Sequence, residues 1–108
     1  MILKVLTINV CRDFSRILGG RERQISEFSG EEFREQFLDN NFEVYDKITI
    51  ELDGPLGYPV DFLDETFGVM ARRYGPKAFW EKFKFVSRNT NVTERITYMV
   101  NHSQKESP

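Results

Sequence analysis

The residues of this chain best equipped for chemistry gather around one loop. Asp53, Asp61, Asp64 and Glu65 flank the segment Gly54-Pro55-Leu56-Gly57-Tyr58-Pro59. Carboxylate oxygens are what a divalent cation takes as ligands, so this acidic group is a candidate cation site. Asp61 and Asp64 have a simpler reading as the cap and first-turn acids of a helix, where the dipole favours negative charge. Glycines ahead of a helix also invite a phosphate reading. No Gly-Lys-Ser/Thr follows them, however, two prolines remove backbone donors, and an acid at the helix start repels phosphate. His102, the single histidine, lies in a polar tail with no nearby carboxylate or nucleophile to position it as a general base. Cys11, the single cysteine, cannot form an internal disulfide or build a structural zinc site, and reads as an idle thiol beside Arg12. Arg12, Arg16, Arg21 and Arg23 cluster too, but Asp13 and Glu22 are interleaved with them, which describes a solvated face better than a nucleic-acid surface.

The elements that must hold these residues follow from periodicity. Residues 2–10 alternate as a strand, and Gly19-Gly20 suits a two-residue turn, which predicts a short hairpin across 14–27. Ser29-Gly30-Glu31-Glu32 has the form of a capping box, and Phe33, Phe37 and Leu38 continue at helical spacing to about residue 38. Asp46–Asp53 alternates cleanly, with Ile48, Ile50 and Leu52 on one face. Asp61 opens a helix to Tyr74, with a buried stripe of Leu63, Thr66, Phe67, Met70 and Tyr74. Pro76 suits the first turn of another short helix, residues 83–87 read as a strand, and Val92, Ile96, Met99 and Val100 give a last helix capped by Thr90 or Asn91. The expected architecture is α/β, with a mixed sheet of about four strands that includes the N-terminal hairpin and carries roughly three to four helices. The domain spans residues 1–102, followed by a frayed tail over 103–108.

Composition narrows the class. The 108 residues are 40% hydrophobic, enough for one packed domain, and 15 basic against 17 acidic side chains leave a formal charge of −2. That balance gives no general pull toward nucleic acid or anionic lipid. No apolar run approaches the ~20 residues of a membrane span, and the start lacks the small-residue cleavage site of a signal peptide. A cytoplasmic location is expected, with no cofactor.

One feature of the pattern stands out against this background. Phe62 and Val69 fall off the predicted stripe, seven residues apart, and Leu56, Tyr58 and Val60 lie in the loop that feeds the same helix. Bulky apolar groups that a core need not absorb suggest a docking patch for another macromolecule. The expected partner-binding surface therefore comprises Leu56, Tyr58, Val60, Asp61, Phe62, Glu65 and Val69.

Taken together, Ser29-Gly30-Glu31-Glu32-Phe33-Arg34, Ile48-Thr49-Ile50-Glu51-Leu52-Asp53-Gly54 and Phe62-Leu63-Asp64-Glu65-Thr66-Phe67-Gly68 resemble the STAS-like family of small bacterial and phage proteins, over roughly residues 14–100. The family is named for its similarity to sulfate-transporter and anti-sigma-factor-antagonist domains. The resemblance implies a regulatory, non-enzymatic protein-interaction module whose partner is a GHKL-type ATPase or serine kinase. In the antagonists that partner phosphorylates a serine at the start of the helix after the central strand. Family members carry Ser-Ser before Phe-Leu where this chain has Val60-Asp61, so Asp61 stands at the switch position with a permanent charge in place of a removable one. Two other functions fit the same residues. One is a small inhibitor or decoy, for instance phage-encoded, that binds a host complex; the other is a nucleotide- or metal-dependent enzyme using the acidic loop.

Overall fold

The computed structural model describes residues 2–105. Three strands, β1 (Val5–Asn9), β2 (Lys47–Glu51) and β3 (Phe83–Val86), form a sheet in the order β1-β2-β3, and both pairings are parallel. Parallel neighbours need long crossovers, and here they are helical. Helix α1 (Val10–Asp13) follows β1. Helix α2 starts as Gly30–Phe33 and continues as a π-helix over Arg34–Leu38. After β2 comes α3, which runs as α-helix over Val60–Leu63, π-helix over Asp64–Gly68 and α-helix again over Val69–Tyr74. Then follow α4 (Pro76–Lys82), β3 and α5 (Thr90–Asn101).

The register places Leu6, Ile48 and Phe83 in one row and Ile8, Ile50 and Phe85 in the next, on the face where the helices pack. Ile48 and Ile50 are fully buried there. The opposite face carries Thr7, Thr49 and Lys84 in one row and leaves Val5, Thr7, Lys47, Lys84 and Val86 exposed. Parallel sheets usually bury both faces and read as continuous apolar runs. This one has a wet face, which is why β2 alternates so cleanly in the sequence. Between sheet and helices the core is strongly aromatic. Phe33 meets Phe14, Phe37 and Phe62 with ring centroids 5.1–5.7 Å apart, and Phe67 stands edge-on to Phe85 at 4.9 Å. Such pairs contribute about 0.5–1.5 kcal/mol each beyond the area they bury.

Three expectations need correction. The sheet has three parallel strands among the described residues, where about four in a mixed arrangement were expected. The missing strands are those of the hairpin. Residues 14–29 form an irregular loop in which Gly19 N–H donates to the Phe28 carbonyl (2.9 Å), Gly30 N–H to Gly20 (2.8 Å) and Glu31 N–H to Arg21 (3.0 Å). A tight hairpin turn needs positive φ, which neither Gly19 nor Gly20 adopts. Gly19 is instead a place of close approach, since a Cβ there would lie 2.1 Å from the Glu27 carbonyl oxygen. The last helix is capped by Asn89, whose side chain accepts from Asn91 N–H (2.9 Å), not by Thr90 or Asn91. The Ser29 cap is present as read, its hydroxyl accepting from Glu32 N–H at 3.1 Å. Of the tail, Ser103 is half-buried and bonds Met99 and Val100, while residues 106–108 lie outside the described residues.

Candidate functional site

The loop from Leu52 to Pro59 leaves the carboxyl end of the central strand, where open parallel sheets commonly place their ligand sites. Gly54 makes its turn possible. Its φ of 120° suits only glycine, and a Cβ would lie 2.5 Å from that of Cys11. Asp53 then ties the loop to the β3–α5 turn by accepting from Ser87 Oγ (2.9 Å) and Arg88 N–H (3.0 Å). Leu56 N–H donates to the Arg16 carbonyl (2.9 Å), which fastens the loop on its other side.

The expected docking residues separate into two groups. Tyr58 and Phe62 belong to the interior: Tyr58 is 7% exposed and Phe62 is 0% exposed. The Tyr58 hydroxyl donates to the Leu52 carbonyl (2.7 Å), and burial, with the nearby Asp53 charge, holds its pKa well above the usual tyrosine range. The Phe62 ring fits between Phe33, Tyr58 and Phe14. Leu56 and Val60 remain outside at 68% and 69% exposure, and Val69 is half-buried.

The phase of α3 explains the error at Phe62. Its buried residues form two rows, Phe62-Thr66-Met70 and Leu63-Phe67-Ala71, each stepping by four. In a pure α-helix a step of four drifts by about 40°. The π turns over 64–68, with Val69 N–H reaching back to the Asp64 carbonyl, widen the coil and cancel that drift. Phe62 therefore falls in line with Met70, and Val60 is turned outward. Thr66 supports the wide turn by donating its hydroxyl to the carbonyls of Phe62 (2.8 Å) and Leu63 (3.2 Å).

Asp61 does not cap the helix. The N-cap is Pro59, which offers no side-chain bond, and Asp61 instead accepts from Arg21 (3.1 Å). That contact opens a chain of ion pairs. Arg21 also reaches Asp64 (2.6 Å) and Glu65 (3.6 Å), and Asp64 meets Arg72 (2.8 Å). Glu65 meets Arg34 (3.2 Å), and Asp39 joins Arg34 to Arg73. Burial pushes the Asp64 carboxyl up, but hydrogen bonds from Arg72 and Arg21 outweigh it and hold the pKa below 3.8. Glu65, expected at the docking surface, is spent in this network with its side chain only 17% exposed. The acidic loop is likewise committed: Asp53 to backbone and Ser87, the other three carboxylates to arginines. Among the described residues no cluster of His, Cys, Asp or Glu is arranged to hold a metal ion.

Sequence reasoning missed a groove of about 320 Å³ between the start of α3 and α5. Val60, Leu63, Tyr98 and Met99 give it apolar walls, and Arg21, Asp64 and Arg95 stand among them. Tyr98 is 67% exposed and stacks on His102 with centroids 3.9 Å apart. The signal was present, because Tyr98 falls off the Val92-Ile96-Met99-Val100 stripe. Arg95 donates to the Tyr58 carbonyl (3.1 Å), while its buried Nε has no hydrogen-bond partner.

No helix among the described residues is long and apolar enough to cross a membrane. No curated protein and no solved structure matches the chain. A family model described as a STAS-like domain of unknown function matches residues 29–93, from the Ser29 cap through β2, α3 and β3 into α5. The matched segment is most of the chain and holds the whole of α3, and the protein belongs to the STAS-like family.

Proposed function

We propose that the protein is a non-enzymatic, cytoplasmic interaction module that docks through the exposed rim at the start of α3. The observation that carries this reading is the exposure of Leu56 and Val60, each more than two-thirds open to solvent beside a helix turn whose next residues, Phe62 and Leu63, are buried. Apolar side chains held out on a rigid helical base suit the anchors of a protein interface. Tyr98 extends the same rim from α5. The carboxylates of α3 are each paired with arginines, which suits a structural role for them better than acid–base work.

The family's likeness to anti-sigma-factor antagonists supports a GHKL-type ATPase or kinase as the partner, with Asp61 as a fixed anion where the antagonists carry a phosphorylatable serine. Asp61 is half of an ion pair with Arg21, so its charge is already answered in the free protein. The direct test is titration calorimetry against a GHKL-type ATPase from the same genome. Wild type is expected to bind and Val60→Asp to weaken binding at least about tenfold, with an unchanged circular dichroism spectrum. Failure of the wild type to bind, or full binding by Val60→Asp, overturns the reading. Incubation with the ATPase and ATP should leave the intact mass unchanged; a phosphate on residues 54–63 would refute the fixed state.

A further inference from the structure

We infer that the groove between α3 and α5 seats an apolar side chain of a partner protein together with a neighbouring carboxylate, which pairs with Arg95. The inference rests on the docking reading and specifies what the partner must present. It follows from the charge balance of the groove. Among the described residues, Arg21, Arg34, Arg72 and Arg73 meet Asp39, Asp61, Asp64 and Glu65 in one connected network with four charges of each sign. Two of its members, Arg21 and Asp64, reach the groove, and each has its counter-charge. Arg95 stands outside the network. It forms no ion pair among the described residues, and its one hydrogen bond goes to the neutral carbonyl of Tyr58 at 3.1 Å. Glu94, its neighbour in sequence, lines an adjoining hollow with Thr93, Thr97 and His102, and Tyr98 is the wall the two share.

The walls decide the rest of the ligand. Val60 and Tyr98 stand 69% and 67% exposed at the rim, with Leu63 and Met99 beside them, so an occupant gains by burying apolar surface. Protruding rims suit a protein segment better than an enclosed small molecule, because a partner's backbone can cover both rims at once. A purely apolar occupant would strip water from Arg95 and leave its charge unanswered. A carboxylate turns that cost into a charge-assisted hydrogen bond. The guanidinium has five N–H donors and gives away one, so donors remain for a carboxylate.

The test uses 3-phenylpropanoate as a mimic of the paired groups and 3-phenylpropanamide as its uncharged isostere. Each is titrated into the full chain while amide resonances are followed by 1H–15N NMR. The carboxylate should shift Val60, Leu63, Tyr98 and Met99 and bind about tenfold more tightly than the amide. Arg95→Gln should erase the preference, and Arg95→Lys should keep most of it. Equal binding of acid and amide to wild type, shifts confined to other surfaces, or a preference that survives in Arg95→Gln would each overturn the inference. Should Arg95→Gln fail to fold, the comparison of the two ligands on wild type decides alone. If the carboxylate preference is absent while Val60→Asp still weakens ATPase binding, docking at the rim stands and only the acidic partner falls.

Discussion

Two residues two positions apart have opposite fates. Val60 faces solvent and Phe62 is enclosed by three aromatic rings. Val60→Asp should therefore leave the melting temperature within a few degrees of wild type, since exposed substitutions typically cost less than about 0.5 kcal/mol. Phe62→Asp places a carboxylate in the core and removes a ring, a combined cost of at least about 4 kcal/mol. Thermal melts followed by circular dichroism separate the two; a folded Phe62→Asp protein would contradict the packing described. Gly54→Ala should cost about 1–3 kcal/mol, because it combines strained backbone with a collision against Cys11. Urea titration measures it, and a neutral result would mean that the loop shifts freely. Phe28 is the one non-glycine residue among the described ones with positive φ, at 50°, and its ring stands edge-on to Phe14 at 5.7 Å. That contact helps offset a backbone conformation that a bulky side chain rarely adopts.

Elements with strong local signals were legible, and those set by long-range geometry were not. The Ser29 cap follows from local chemistry, and Ser29→Ala should lower stability by about 1 kcal/mol in urea titration, less if water replaces the hydroxyl. Strand β2 was legible because one face is wet, so the alternation survived in the sequence. The hairpin was not, because Gly-Gly signals both a tight turn and a place where two backbones must approach, and only the neighbouring segment distinguishes them. The stripe of α3 was phased for 3.6 residues per turn, and nothing in Asp64-Glu65-Thr66-Phe67-Gly68 announces a wider coil. Helix α2 shows the same step of four at Gly30, Arg34 and Leu38, all buried, and Phe42 continues the row in the turn that follows. Three of the seven residues of the expected docking set, Leu56, Val60 and Asp61, are exposed. Of the other four, Phe62 is buried by the phase of the helix, Tyr58 by its bond to the Leu52 carbonyl, Val69 is half-buried, and Glu65 is taken up by arginines whose distance in sequence hid the pairing.

At the scale of the molecule, ion pairs reinforce joints that the aromatic core also makes. Arg21 brings the 14–29 loop onto α3, while Arg34, its side chain only 10% exposed, ties α2 to α3 through Glu65. Glu65→Leu removes one of the two carboxylates that answer Arg34 and leaves Asp39 as the other, so it should destabilise by about 1–3 kcal/mol, read from chemical unfolding. The exposed pair Arg23–Glu35, screened by solvent, should contribute far less by the same measurement. Acid should expose the network as well. The folded-state pKa of Asp64 lies below its ordinary 3.8, so its stabilising contribution is present above that value and is lost as pH falls through the lowered one. Melting temperatures between neutral pH and pH about 3 should therefore fall more steeply for wild type than for Asp64→Asn. Parallel curves would mean that Asp64 carries no such linkage.

The step of four along α3 changes how relatives are to be compared with this chain. A straight-helix cousin takes one residue fewer to pass the same stretch of core, so its counterpart of Val60 sits one letter away once the bulge is crossed. Counting back from Phe67 and superposing backbones then nominate different residues for the same spot on the surface. Mapping an antagonist's phosphoacceptor onto Val60 or Asp61 thus calls for a gap placed inside a helix, where sequence alignments are built to forbid one.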